Sequence, residues 1–245
     1  MRTRVLAAVL TSATLLALTG CVQFHSDLTI DGKGGGTAKM SMSVGTEVLA
    51  ALGELKTMGG NELGLEVPDL DGMTRASLDR RAAGKGVTVA SFEKVTTAGR
   101  QTMTCELGFA HLKGLSLFLN DIASALAGTG LGIDAVDGGN LALRSRQYAV
   151  PARPQDKTPA AAQPTAEQGA RRMELAGVVM SALGETDLVL KFTVPGDVVR
   201  SNATVVEGRT AIWKIDASNL MNQQSDVAPE IVFAGAGLSL KPPKE

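Results

Sequence analysis

Residues 22–44 read "VQFHSDLTIDGKGGGTAKMSMSV", and this stretch decides the fold class. Val22, Phe24, Ser26, Leu28 and Ile30 alternate with Gln23, His25, Asp27 and Thr29. A two-residue period sends alternate side chains to opposite faces of an extended chain, so the spacing predicts a strand with one buried face. Asp31, Gly32, Lys33 and three further glycines interrupt it, and glycine supplies the positive φ angles that a hairpin turn demands. Alternation then resumes, with Ala38, Met40, Met42 and Val44 set against Thr37, Lys39, Ser41 and Ser43. The expectation is a β-hairpin opening a folded domain.

Working towards the C-terminus, Thr46 is placed to cap a helix running to about Thr57, with Val48, Leu52 and Leu55 on one face. A short helix is expected over 73–83 and a strand around Val87, Val89 and Phe92. Residues 97–100 turn that strand into another, in which Met103, Cys105, Leu107 and Phe109 share a face. Leu112, Leu115, Phe118, Leu119, Ile122 and Leu126 fall at helical spacing, and Gly128 stops that helix. Two short strands, 131–136 and 141–148, flank a turn at 137–140. Residues 151–166 carry four of the nine prolines and almost no apolar side chains, which predicts an extended, mobile loop. A helix over 167–183, strands over 187–194 and 209–215, and a last strand at 231–233 complete the reading. The predicted class is α+β: antiparallel hairpins forming a sheet packed against about three helices. One domain is expected in two parts, 21–150 and 167–236, with a tail at 237–245.

Working towards the N-terminus, Arg2 and Arg4 precede an apolar run, 5–18, too short to span a bilayer comfortably. The run ends in Leu18, Thr19, Gly20 and Cys21, an order that resembles the lipobox of bacterial lipoproteins. The resemblance implies that 1–20 are a cleaved signal peptide and that Cys21 carries a diacylglycerol, with a further chain on its new amino group. Two or three acyl chains hold a soluble domain on a membrane where one would not. The expected location is therefore the cell envelope, facing the periplasm or the exterior, with the membrane as a partner through Cys21.

Loss of 1–20 removes Arg2 and Arg4, leaving 22 basic against 25 acidic residues, a net charge near −3. Nucleic-acid binders carry clustered positive charge, so nucleic acid is not an expected partner. Acylation of Cys21 leaves Cys105 as the one thiol, which excludes an intramolecular disulfide. One Trp and one Tyr supply little aromatic stacking surface. His25 and His111 are the only histidines, too few to converge on a metal or build a triad. His25 falls on the outward face of the first strand, and His111 at a strand-to-helix junction suited to capping. Cys105 alternates with buried positions and reads as a small core hydrophobe. Gly128, Gly130 and Gly132 follow a helix and precede a strand, the reverse of the order a phosphate-cradling turn needs. No cofactor, metal or catalytic residue is expected, and the chain reads as non-enzymatic.

Two stretches together resemble the LppM-type lipoproteins. One is the Cys21-anchored hairpin with its Asp-Gly turn; the other is "VPGDVVRSNATVVEGRTAIWKI", residues 194–215, with Pro195, Gly196, Asn202, Gly208 and Trp213. The resemblance implies an α+β lipoprotein domain that handles lipids. The Pro/Ala insertion at 151–166 departs from that pattern. Met40, Met42, Met103 and Leu107 are the candidate side chains facing an apolar ligand, a lipid or acyl chain, because methionine adapts its shape to irregular apolar partners. The alternative is a structural lipoprotein that holds another envelope protein through a sheet edge or the 151–166 loop.

Overall fold

A computed structural model describes residues 22–58, 72–122, 129–147, 165–216 and 228–239. Residues 1–20, expected as a signal peptide, Cys21, Leu126 and Gly128 at the expected end of a helix, residues 151–164 of the Pro/Ala-rich segment and residues 240–245 lie outside the described residues. Among the described residues, eleven strands and four α-helices follow in chain order: β1 (Val22–Ile30), β2 (Gly36–Gly45), α1 (Thr46–Thr57), α2 (Arg75–Ala82), β3 (Val87–Thr97), β4 (Arg100–Phe109), α3 (Leu112–Ile122), β5 (Thr129–Val136), β6 (Asn140–Gln147), α4 (Ala166–Gly184), β7 (Asp187–Thr193), β8 (Val198–Ser201), β9 (Val205–Glu207), β10 (Thr210–Asp216) and β11 (Glu230–Ala234). The class is α+β.

The strands form two sheets. The larger has seven, in the order β3-β4-β2-β1-β7-β10-β9, and the smaller has four, in the order β5-β6-β11-β8. The opening hairpin forms as its alternation requires, pairing Val22 with Val44 and Ile30 with Gly36. Asp31 shapes its turn, Oδ1 accepting the N–H groups of Lys33 at 2.7 Å and Gly35 at 3.1 Å. At the β3–β4 turn both Ala98 and Gly99 have positive φ, 48° and 75°, as a tight hairpin turn with the right-handed sheet twist demands.

Pairing within both sheets is antiparallel except at one place. β1 and β7 run parallel, Gln23 opposite Asp187. The 19 residues of α4 span about 28 Å and carry the chain back along the sheet, so β7 starts beside the start of β1.

Helix starts follow local chemistry. Thr74 caps α2 in a reciprocal box with Ser77. Thr46, expected as a cap, is instead the first helical residue after an N-cap Gly45. Its N–H and Oγ1 both bond to Gly99 O, at 2.8 and 3.0 Å, tying α1 to the β3–β4 turn. His111 does cap α3, its Nδ1 accepting the Gly114 N–H at 2.9 Å.

The principal core lies between the inner face of the large sheet, the small sheet, α2 and α3, with Phe118, Ile231 and Phe233 sealed from solvent. α1 and α4 close the other end of that face through Val48, Ala182 and Val179. Arg171 on α4 forks onto the Glu54 carboxylate of α1, both bonds 2.9 Å, and staples the pair. Residues 237–239, expected as tail, return to the first turn, where Ser239 N–H bonds Gly32 O at 3.1 Å.

Candidate functional site

Rows of side chains across the large sheet divide its inner face in two. In the row Val89, Leu107, Ala38, Leu28, Phe192 and Ala211, every side chain is buried. One row nearer the N-terminal end of β1, Phe92, Cys105, Met40, Ser26 and Leu190 are only half-buried. In the next row Met42, Phe24 and Leu188 are half-buried as well, while Met103 is closed over. The inner face is thus sealed at its far half and incompletely covered over two rows beside Val22, from β3 to β7; on β10 the same rows end in the buried Trp213 and Ile215.

The four candidate ligand-facing residues are separated by this gradient. All share the inner face, with Met42 opposite Met103 and Ala38 opposite Leu107. Leu107, 1% exposed, belongs to the sealed core, and Met103, 8% exposed, packs with Val44 and Val48 under α1. Met40 and Met42 border the open rows. Phe24, Phe92, Leu188 and Leu190 join them there, and their own alternation is the sequence signal that could have found them.

Cys105 lies in the open strip. Burial pushes its thiol up to about 11, against a smaller lowering by the nearby Arg75 guanidinium. His25 stands on the opposite, outer face, 3.9 Å from Asp187, with both side chains exposed. That outer face carries a row of alternating charge: Glu106, Lys39, Asp27 and Lys191 sit on successive strands β4, β2, β1 and β7. Lys39 and Glu106 pair at 2.8 Å, and Lys191 and Asp27 at 3.0 Å. The Lys39 hydrogen bond and charge hold Glu106 below the usual carboxylate range.

One row further from Val22, the outer face dips into an open groove of about 700 Å³. Thr88, Gly108, Thr37 and Thr29 cross it on β3, β4, β2 and β1, and Asp31 stands at one side. This groove was not anticipated: each threonine reads alone as an outward polar residue, and only strand order aligns them.

The 194–215 stretch forms the junction between the sheets. The chain leaves β7 at Val194, joins the small sheet as β8, and returns as β9 and β10. At Gly196 a Cβ would stand 2.0 Å from Ala234 O, so only glycine fits against β11. Asn202 Oδ1 accepts the Trp213 indole N–H and the Glu230 N–H, each at 3.0 Å, and its amide donates to Ala228 O at 2.9 Å.

Among the described residues, no group of three or more His, Cys, Asp or Glu side chains converges as a metal site. No helix among them is long and apolar enough to cross a membrane.

No family model and no curated protein matches the chain. Among solved structures, it resembles the folded domain of Mycobacterium tuberculosis LppM, determined by NMR. The likeness covers 88% of this chain and 91% of that one, at 14% sequence identity and a TM-score of 0.42.

Proposed function

We propose that this chain is a lipid-anchored lipoprotein of the bacterial cell envelope whose domain binds an apolar ligand, a lipid or acyl chain, and catalyses no reaction. The supporting observation is the incompletely covered strip on the inner face, bordered by Phe24, Met40, Met42, Phe92, Leu188 and Leu190. Apolar side chains left half-covered inside a domain favour an apolar partner, since covering their remaining surface gains about 25 cal/mol per Å². The two methionines add adaptable walls. The strip lies next to Val22, the residue after Cys21, so an acyl anchor there places it close to a bilayer.

Mass spectrometry of an organic extract tests this reading. The domain is expressed from Val22 onward without an anchor, so any lipid recovered is a ligand. A stoichiometric lipid, displaced by Met40→Glu, is the expected result. An empty extract from a folded domain overturns the ligand-binding reading.

One observation favours a second reading, an interaction lipoprotein. β9 is an edge strand with Val205 and Val206 exposed, and Val199 on β8 is 61% exposed. Unpaired strand edges template pairing with another chain. Val206→Lys then abolishes co-purification of an envelope protein while leaving lipid content unchanged.

A further inference from the structure

We infer that the groove on the outer face of the large sheet is a second binding site, for a neutral, hydroxyl-rich ligand of the sugar class. It is separate from the apolar strip, because Thr29 and Thr37 point from the opposite side of β1 and β2 to Leu28 and Ala38.

Chemistry of the lining selects the ligand. Thr29, Thr37 and Thr88 present hydroxyls, Asp31 a carboxylate, and no lysine or arginine lines the groove. A phosphate or carboxylate ligand would meet the Asp31 charge with no cation to balance it. An alkyl chain would cover the apolar part of the lining, Val87, Phe109 and Ala110, but return no hydrogen bond to the three hydroxyls and the carboxylate, whereas the C–H faces of a sugar cover the same apolar surface. A ligand bearing several hydroxyls both donates to the carboxylate and exchanges hydrogen bonds with the threonines.

The groove also has free capacity for those bonds. The hydroxyls of Thr29 and Thr37 have no hydrogen-bond partner among the described residues, and Thr88 Oγ1 makes only a long 3.4 Å contact to Gly108 O. Asp31 spends Oδ1 on the turn and leaves Oδ2 available. The three threonines lie in one register row, on strands about 4.8 Å apart, with Gly108 giving a low floor between Thr37 and Thr88. A volume of about 700 Å³ lies in the range of small-molecule sites. The one aromatic residue in the lining, Phe109, is 6% exposed and gives no open face for stacking, so recognition rests on hydroxyl pairing and is selective rather than tight.

The test is calorimetric titration of the full-length protein, held in a zwitterionic detergent free of sugar, with N-acetylchitotetraose and with maltotetraose. Thr37→Tyr fills the groove at an exposed strand position that tolerates an aromatic residue. Thr37→Val removes the hydroxyl alone, and Asp31→Asn keeps the turn acceptor while removing the charge. Saturable binding of either sugar, lost in Thr37→Tyr and weakened about tenfold in Thr37→Val and Asp31→Asn, supports the site. Palmitate binding stays unchanged in all three variants, because the strip lies on the other face. No saturable binding of either sugar at a Kd below about 1 mM overturns the inference, as does sugar binding indifferent to Thr37→Tyr. Tighter binding of inorganic phosphate than of either sugar also overturns it.

Discussion

The indole N–H of Trp213, a side chain 4% exposed, donates to Asn202 Oδ1 at 3.0 Å. The same oxygen accepts the backbone N–H of Glu230. One exposed amide therefore joins β10 of the large sheet to β11 of the small one. Its removal leaves a buried indole donor unpaired, at about 1–3 kcal/mol. Asn202→Ala is expected to lower the free energy of unfolding by that amount, read from chemical denaturation, and to shift Trp213 fluorescence in the folded state. Asn202→Asp, which keeps the acceptor but loses the donor to Ala228 O, recovers only part of the loss.

Two glycine-to-alanine changes should act with opposite sign. At Gly196 the added carbon would stand 2.0 Å from a backbone oxygen, so β11 must move, and overpacking of this kind costs about 1–3 kcal/mol or more. At Gly53, inside α1, a Cβ meets nothing within 4 Å, and alanine gains about 0.5–1 kcal/mol from its better helix propensity. Thermal unfolding of the two variants measures both directions.

The Glu106–Lys39 pair makes stability depend on pH at both ends. The lysine hydrogen bond and charge lower the folded-state Glu106 below its unfolded value, so its contribution is present above the unfolded value and fades as pH falls through the folded one. The glutamate in turn raises Lys39, whose contribution is present below its unfolded value and fades as pH rises through the folded one. Glu106→Gln should therefore be less stable than the parent at neutral pH, and the difference should vanish in acid below the ordinary glutamate range. A denaturation midpoint measured against pH checks this.

Cys105 should behave as a slow thiol. With burial holding it near 11, little thiolate exists at neutral pH. Reaction with a chromogenic disulfide is expected to lag far behind that of free cysteine in the native protein and to catch up on unfolding. Fast native labelling would mean that the strip around Met40 opens much further than it does here.

Much of this architecture was legible where one residue's environment differs from its neighbour's. The hairpin of 22–44 and the strand with Met103, Leu107 and Phe109 alternate because one face is buried and the other solvated. β8 and β9 escape that signal: Val198 with Val199 and Val205 with Val206 are adjacent valines on short edge strands, where neither face is deeply buried. The parallel pairing of β1 with β7 also leaves no local trace, since it depends on where α4 delivers the chain. Met40 and Leu107 share one sequence pattern yet differ in burial, because only the helices and second sheet decide which rows are covered. Asn202 lies between the short strands β8 and β9, and its bridging role needs the distant partners Trp213 and Glu230 in place. Thr29, Thr37 and Thr88 become a groove only through register.

The parallel β1–β7 contact has a consequence for the order in which the protein is made. Asp27 and Lys191, paired at 3.0 Å, are 164 residues apart in the chain. β3, β4, β2 and β1 are neighbours in the sheet and are complete once Phe109 has emerged, so the first half can zip together from adjacent hairpins. It then presents β1 as an open template until β7 arrives. Such distant closure is intrinsically slow, because chain entropy is lost before the contacts repay it. The interval between those two events is when this protein is most exposed to mispairing, and a chaperone that guards the free edge of β1 would act there.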